Sequence, residues 1–95
     1  MNSNQSMPTL KAGVIGTGFI APVHIEALRR IGVLVTAICG SEQAREVAAQ
    51  WNIPHVFTGY DYAGIVASPE VDVVHITSPN RHHHAQSLAA LAAGK

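Results

Sequence analysis

The chain has 95 residues, which is enough for one small domain. Hydrophobic residues make up 47% of it and charged residues only 13%, so it can build an apolar core and is not of the disordered class. Lysine plus arginine and aspartate plus glutamate are equal at 6 each, which leaves no basic surface to attract nucleic acid or an anionic membrane. The single cysteine, Cys39, excludes an internal disulfide and a zinc site of four cysteines.

The start of the chain is polar and carries neither the basic residues nor the apolar run of a signal peptide. We expect residues 1–9 to form a disordered tail. No apolar stretch approaches the roughly 20 residues that a bilayer-spanning helix needs. The expectation is therefore a cytoplasmic protein that binds neither membrane nor nucleic acid.

The first predicted elements are a strand, a glycine turn and a helix. Apolar residues over 10–15 form a short strand that ends at glycines. From Ile20 onward the apolar residues recur at helical spacing, and Pro22 suits the first turn, where its missing N–H costs nothing. Gly32 ends this helix.

A second strand and helix follow at once. Residues 33–39 are apolar except for Thr36, as expected of a strand buried on both faces. Ser41 is predicted to be the N-cap of the next helix, and Asn52 to be its left-handed C-terminal residue. Residues 55–57 are predicted to form a short third strand.

The remaining elements continue the alternation. Asp61 is predicted to cap a brief helix that Pro69 ends, 71–76 to be a fourth strand, and Gly94 to stop a last helix. Alternating strands and helices predict an α/β fold in which right-handed crossovers join parallel strands. We expect a doubly wound sheet of about four strands, in the common order 3-2-1-4, with helices on both faces.

The glycine turn carries the main functional signal. Gly16-x-Gly18-x-x-Ala21 follows a strand and opens a helix, as a dinucleotide-binding motif must. Gly16 permits the tight turn, Gly18 allows close approach of a pyrophosphate, and Ala21 allows close helix–strand packing. The helix N-terminus then offers N–H groups to the phosphates. Glycines also serve ordinary turns, and methyltransferases are an alternative class, but the position of the motif favours an incomplete Rossmann fold.

The end of the second strand bears on the choice of cofactor. NAD-selective folds place an acidic residue there to bind the ribose hydroxyls, and this chain has Gly40 instead. Ser41 and Arg45 can accept a 2′-phosphate, so NADP is slightly preferred over NAD. Two alternatives stay open: Glu42 binds the ribose if the turn is shifted by a residue, or Ser41 only caps the helix and Arg45 is a surface charge.

A second candidate site follows the fourth strand. In the order 3-2-1-4 the first and fourth strands flank the crevice in which ligands bind. The loop there is Thr77-Ser78-Pro79-Asn80, in which Pro79 stiffens the chain and Asn80 can hydrogen-bond a cofactor. An ordinary turn with Asn80 as helix N-cap is a compatible alternative.

Several segments together resemble the first domain of the Gfo/Idh/MocA oxidoreductase family. They are residues 13–21 with His24, Asp61-Tyr62, residues 65–83, and the alanine-rich ending 89–95. The resemblance implies that one group of residues lines the pyrophosphate and nucleotide site: Gly16, Thr17, Gly18, Phe19 and Ile20. It implies that a second group lies beside the nicotinamide half of the cofactor: Ser78, Pro79, Asn80 and His83.

In that family the pattern continues with a strand leading to Glu-Lys-Pro, whose lysine takes part in proton transfer, and then with a substrate domain. We therefore expect residues 10–95 to be the N-terminal part of an NAD(P)-binding domain, with no catalytic residue and no activity alone. A full-length parent is expected to be a homo-oligomer that oxidises sugars, polyols or related CH–OH substrates. The alternative is a non-catalytic nucleotide-binding module used in regulation or assembly.

The histidines invite a metal site, but consecutive helical residues point about 100° apart. His82, His83 and His84 therefore cannot converge on one ion, and no metal is expected. His83 either lies near the cofactor or only starts the helix. His75 is predicted to be a hydrogen-bonded core residue, and His24 to pack near the glycine turn.

Overall fold

A computed structural model describes residues 9–78 and 80–95. Most of the predicted tail therefore lies outside the described residues. No helix in the described part of the chain is long and apolar enough to cross a membrane. The elements, in chain order, are β1 (Lys11–Ile15), α1 (Ala21–Arg30), β2 (Leu34–Cys39), α2 (Ala44–Trp51), β3 (His55–Phe57), α3 (Tyr62–Ala67), β4 (Val73–Ile76) and α4 (Asn80–Ala92).

The four strands form one parallel sheet in the order β3-β2-β1-β4, which confirms the predicted α/β fold and strand order. β1 pairs with both β2 and β4, so the carboxyl ends of these three strands lie side by side. The turns that leave β1, β2 and β4 therefore meet at one edge of the sheet.

Helices cover both faces of the sheet. On one face, α1 packs on β1 and β2, and α2 packs on β2 and β3. The first core cluster there includes Val14, Ala21, Ile25, Ile38 and Ala44. On the other face, α3 packs on β1 and β2, and α4 packs on β4 and against α3. This second core cluster consists of Ile15, Ala37, Cys39, Ile65, Val66, Val71 and Ala90. Apolar side chains on both faces explain why the strands are nearly continuous hydrophobic runs.

An irregularity in β2 accounts for its single polar residue. The register between β1 and β2 shifts at this point: Ala12 pairs with Val35, but Gly13 pairs with Ala37, so Thr36 is the extra residue of a bulge. Thr36 is buried, and its hydroxyl donates a hydrogen bond to the carbonyl of Glu70. The polar interruption in the sequence is therefore a contact between β2 and the segment before β4.

Residues 68–72, which lead into β4, are fastened at the amino end of the sheet. The Nζ atom of Lys95 donates to the carbonyl of Ser68 at 3.1 Å and to that of Val71. The backbone N–H of Lys11 donates to the Asp72 carboxylate at 2.9 Å. Together with the hydrogen bond of Thr36, these contacts tie the segment to β1, to β2 and to Lys95, which follows α4.

Two predicted helix ends are confirmed, whereas a helix start and a strand start differ from their predicted positions. Asn52 is left-handed, with φ of 55°, and Asp61 accepts a hydrogen bond from the Gly64 amide, both as predicted. The prediction that Ser41 caps α2 is wrong, because the N-cap is Gln43 and the Ser41 hydroxyl only accepts from the Gln43 amide in the turn before it. β4 begins at Val73 rather than at residue 71, because the Val71 amide donates to the Ser68 carbonyl at 3.2 Å in a turn before the strand.

Candidate cofactor cleft

A cleft of about 460 Å³ lies at the carboxyl edge of the sheet, where the glycine turn after β1 meets the segments after β2 and β4. This is where a doubly wound sheet binds its ligands. Its lining residues are Ile15, Gly16, Thr17, Gly18, Phe19, Ile20, Cys39, Ser41, Gln43, Tyr60, Thr77, Ser78 and Gln86. The predicted glycine turn and Ser78 therefore line one cleft.

Gly16 lies in the turn after β1 and contacts the ends of β2 and β4. Its φ of +114° is a conformation that residues with side chains rarely adopt. Its amide donates to the carbonyl of Cys39 at 2.7 Å. A Cβ atom at this position would lie 2.5 Å from Oγ1 of Thr77. Only glycine fits where the first turn touches the end of β4.

Gly18 is a glycine for a different reason. A Cβ atom added to it would meet no protein atom within 4 Å, so the protein itself leaves this side of the backbone open. In the described part of the chain, the amides of Gly18, Phe19 and Ile20 donate to no backbone carbonyl. Open space beside free amides at the start of α1 fits the pyrophosphate of a dinucleotide. Phe19 and Ile20 are exposed around it.

Of the residues that follow β2, some line the cleft and others lie outside it. Ser41 and Gln43 line the cleft, whereas Gly40 is buried behind the lining. Arg45 does not line the cleft: its Nε atom donates to the Glu42 carboxylate at 3.2 Å, and it borders a separate groove with Asn52 and Ile53. Both charged side chains of this pair are mostly exposed. The structure therefore does not bring Ser41 and Arg45 together.

The segment after β4 is held by α4. The Ser78 hydroxyl hydrogen-bonds to Oε1 of Gln86, and Nε2 of His83 contacts the Ser78 carbonyl. His83 thus supports Ser78 from outside the lining. Asn80 is the first residue of α4, and Pro79 lies outside the described residues.

Sequence reasoning missed Gln86, Gln43 and Tyr60. Gln86 is only 3% exposed yet lines the cleft, and it lies one helical turn after His83. A polar residue at a buried position of a helix was the available signal. Tyr60 carries a left-handed φ of 56°, which no sequence pattern indicated.

His24 and His75 face each other between α1 and β4. Their Nδ1 atoms are 3.4 Å apart, and the rings meet edge to face with centroids 5.6 Å apart. Burial lowers the pKa of His75, and the neighbouring His24 lowers it further. His75 makes a hydrogen-bonding contact as predicted, with His24 as its partner, but it is only partly buried and belongs to neither core cluster, so its prediction as a core residue is wrong.

This pair makes stability depend on pH. Since the pKa of His75 is lowered in the folded state, the unfolded chain binds more protons below about pH 6.5. The free energy of unfolding is therefore expected to fall as the pH drops from there through the lowered pKa. Urea unfolding at about pH 7.5 and pH 5 measures this loss. His75→Asn should make this loss smaller, and His55→Asn, at an exposed position of β3, should not. Equal losses in both variants would contradict the assignment.

Two other chemistries find no support among the described residues. Burial raises the pKa of the Cys39 thiol to about 12, and the Asp61 carboxylate adds to the shift, so the reactive thiolate is scarce at neutral pH. Within residues 9–78 and 80–95, no group of three histidine, cysteine or acidic side chains is placed to hold a metal ion.

The strand order and the open glycine turn together define a dinucleotide-binding Rossmann domain. The sequence model of the Gfo/Idh/MocA oxidoreductases, described as an oxidoreductase family with an NAD-binding Rossmann fold, matches residues 10–95. The chain belongs to this family, which confirms the resemblance noted from its motifs.

Similar proteins support this assignment. The chain is 37% identical over 90 residues to an inositol 2-dehydrogenase of Salmonella paratyphi B, and 33% identical over 89 residues to a 4-carboxy-2-hydroxymuconate-6-semialdehyde dehydrogenase of Sphingobium. These matches cover 92% and 90% of the chain, but only 27% and 28% of the relatives. The chain thus spans about a quarter of their length.

Solved structures show the same fold. An NAD-binding oxidoreductase from Klebsiella pneumoniae superposes with a TM-score of 0.82 at 34% identity, over 93% of this chain and 26% of the other. A scyllo-inositol dehydrogenase from Lactobacillus casei, solved with NAD(H) and scyllo-inositol, gives 0.82 at 25% identity with the same coverage.

Proposed function

We propose that this chain provides the NAD(P) site of an oxidoreductase that acts on sugars, polyols or related CH–OH substrates. The observation that carries the proposal is the open face of Gly18 beside free amides in the cleft. The inositol dehydrogenases among its relatives support the substrate class. A bound nicotinamide dinucleotide would accept the hydride from the substrate carbon.

In this proposal, different residues of the chain bind different parts of that cofactor. The amides around Gly18 face the pyrophosphate, and Phe19 and Ile20 cover it from the solvent side. Ser78, held by Gln86 and His83, forms the wall towards the nicotinamide half. We also propose, from the family resemblance alone, that Pro79 and Asn80 bind the cofactor. The catalytic lysine and the substrate domain would come from a longer parent, which we expect to be a cytoplasmic homo-oligomer.

The preferred cofactor in this proposal is NADP. No carboxylate is among the residues that line the cleft in the described chain, so nothing there selects the ribose hydroxyls of NAD. Ser41 lines the cleft and can donate to a 2′-phosphate, whereas Arg45 is engaged with Glu42 outside it. With no cation at the lining, the preference should be small, about two- to tenfold in Kd.

The test is a fluorescence titration of the purified protein with NADPH and NADH, alone and with Gly18→Ala. We expect both nucleotides to bind the protein without the substitution. The added methyl of Gly18→Ala occupies the space of the pyrophosphate, so Kd should rise by about tenfold or more. Because that space is empty in the protein, the free energy of unfolding should change by no more than about 1 kcal/mol.

The two measurements on Gly18→Ala distinguish a binding role from a folding role. Weaker binding with unchanged thermal unfolding supports the site. Unchanged binding of both nucleotides by Gly18→Ala would place them elsewhere on the molecule. If the protein without the substitution is folded and binds neither nucleotide, the proposal itself is contradicted.

A further inference from the structure

Two hydroxyl side chains after β4, those of Thr77 and Ser78, line the cleft. Oγ1 of Thr77 donates to the Ile15 carbonyl at 2.9 Å, and Oγ of Ser78 donates to Oε1 of Gln86. A hydroxyl has one proton to donate and two lone pairs that accept. Since protein atoms already take both protons, these two side chains offer a ligand lone pairs and no donor.

Helix α4 holds Ser78 at two atoms. The Gln86 side chain, which accepts from the Ser78 hydroxyl, is buried, and so is Ser78 itself. One helical turn earlier, Nε2 of His83 donates to the Ser78 carbonyl, since a carbonyl oxygen only accepts. Buried hydrogen bonds are costly to leave unmade, so the Ser78 hydroxyl stays turned towards Gln86.

The two walls of the cleft therefore have opposite polarity. At the glycine turn, the amides of Gly18, Phe19 and Ile20 are donors without a backbone acceptor in the described part of the chain. After β4, the two hydroxyls offer acceptors. Phosphate oxygens accept hydrogen bonds and fit the first wall, whereas a ligand group with an N–H or O–H fits the second.

We infer that Gln86 is a positioning residue: by accepting the Ser78 proton, it makes the wall after β4 recognise a hydrogen-bond donor on the ligand. The inference rests on the proposed function and names the ligand chemistry that Ser78 selects. Two groups on the nicotinamide half of a dinucleotide carry such donors, namely the carboxamide of the ring and the hydroxyls of the adjoining ribose. Gln86 acts through Ser78 and touches neither group itself.

The experiment measures the Kd values of NAD, ADP-ribose and ADP by calorimetric titration of the purified protein. ADP lacks the nicotinamide half altogether and is the reference ligand, whereas ADP-ribose lacks only the ring with its carboxamide. Gln86→Met removes the acceptor at similar side-chain length and lets the Ser78 proton turn into the cleft. The Kd of NAD relative to that of ADP should then rise by about fivefold or more. An equal rise for ADP-ribose assigns the donor to the ribose, and no rise for ADP-ribose assigns it to the carboxamide.

Gln86→Glu and Ser78→Ala test the direction of the hydrogen bond. A carboxylate only accepts, so Gln86→Glu keeps the Ser78 proton turned away from the cleft and should leave the ratio of NAD to ADP within about twofold. Because ADP carries phosphates too, the ratio removes the effect of the added charge on them. Ser78→Ala should raise the ratio by about fivefold, and Gln86→Met added to it should raise it no further.

Gln50→Met is the matched control, because it makes the same replacement at an exposed position of α2 outside the cleft lining. It should change none of the three Kd values, and thermal unfolding shows that each variant is folded. If Gln86→Met does not fold, the expected results for Gln86→Glu and Ser78→Ala decide between the outcomes.

Three results would overturn the inference while leaving the proposed function intact. They are an unchanged ratio in a folded Gln86→Met or in Ser78→Ala, a ratio in Gln86→Glu that rises by fivefold or more, and additive effects of Gln86→Met and Ser78→Ala. If the protein without a substitution is folded and binds none of the three ligands, the proposed function fails together with the inference.

Discussion

Gly16→Ala is expected to lower the free energy of unfolding by about 3 kcal/mol. Two costs add at this position: a φ of +114°, which is unfavourable for alanine by about 1–2 kcal/mol, and a methyl group 2.5 Å from Thr77 Oγ1, which adds about 1–3 kcal/mol. The same change displaces the segment after β4, so nucleotide binding should weaken by more than tenfold. Chemical unfolding followed by NADPH titration measures both effects.

Gly32→Ala separates the two costs. Gly32 also has a positive φ, of +85°, but a Cβ atom there would meet nothing within 4 Å, and the residue lies outside the cleft lining. Its replacement should cost only about 1–2 kcal/mol and leave the Kd for NADPH unchanged. If Gly16→Ala were no more destabilising than Gly32→Ala, the contact with Thr77 would not matter in solution.

Thr36→Val should lower the free energy of unfolding by about 2 kcal/mol although valine has nearly the same shape. The loss arises because the Glu70 carbonyl is left without the hydroxyl that now donates to it within the bulge. Because this contact lies on the side of the sheet away from the cleft, NADPH should still bind the folded variant with unchanged Kd. Urea unfolding and a titration below the transition check the two statements.

Thr36→Ser provides the matched comparison, since it keeps the hydroxyl and removes only a methyl group. Its cost should stay near 1 kcal/mol, the value for one buried methylene. A serine variant as unstable as the valine variant would show that the hydroxyl contributes nothing and that packing in the bulge decides the stability.

The order of the strands could be predicted because it depends on local periodicity and on general rules of chain connection. Apolar runs that alternate with amphipathic helices admit few parallel topologies, and the glycine motif marks the first crossover. The two loops of the predicted cleft, around Gly16 and Ser78, then had to meet, because both follow strands that flank the crevice.

The contacts between the turns and between side chains could not be predicted in the same way. The hydrogen bond between Ser78 and Gln86 depends on how α4 lies against the segment after β4, which no spacing reveals. The prediction for Ser41 as a cap failed because α2 begins two residues later than its composition indicated. Arg45 forms a surface ion pair with Glu42 and does not line the cleft. His24 and His75 meet only through tertiary packing.

The fastening of residues 68–72 by Lys11, Thr36 and Lys95 lies at the opposite edge of the sheet from the cleft. This anchor is therefore physically separate from the residues that line the cleft. Substitutions at these anchors leave the cleft lining untouched. Changes there can therefore raise or lower the thermal tolerance of the chain without altering the surroundings of its ligand.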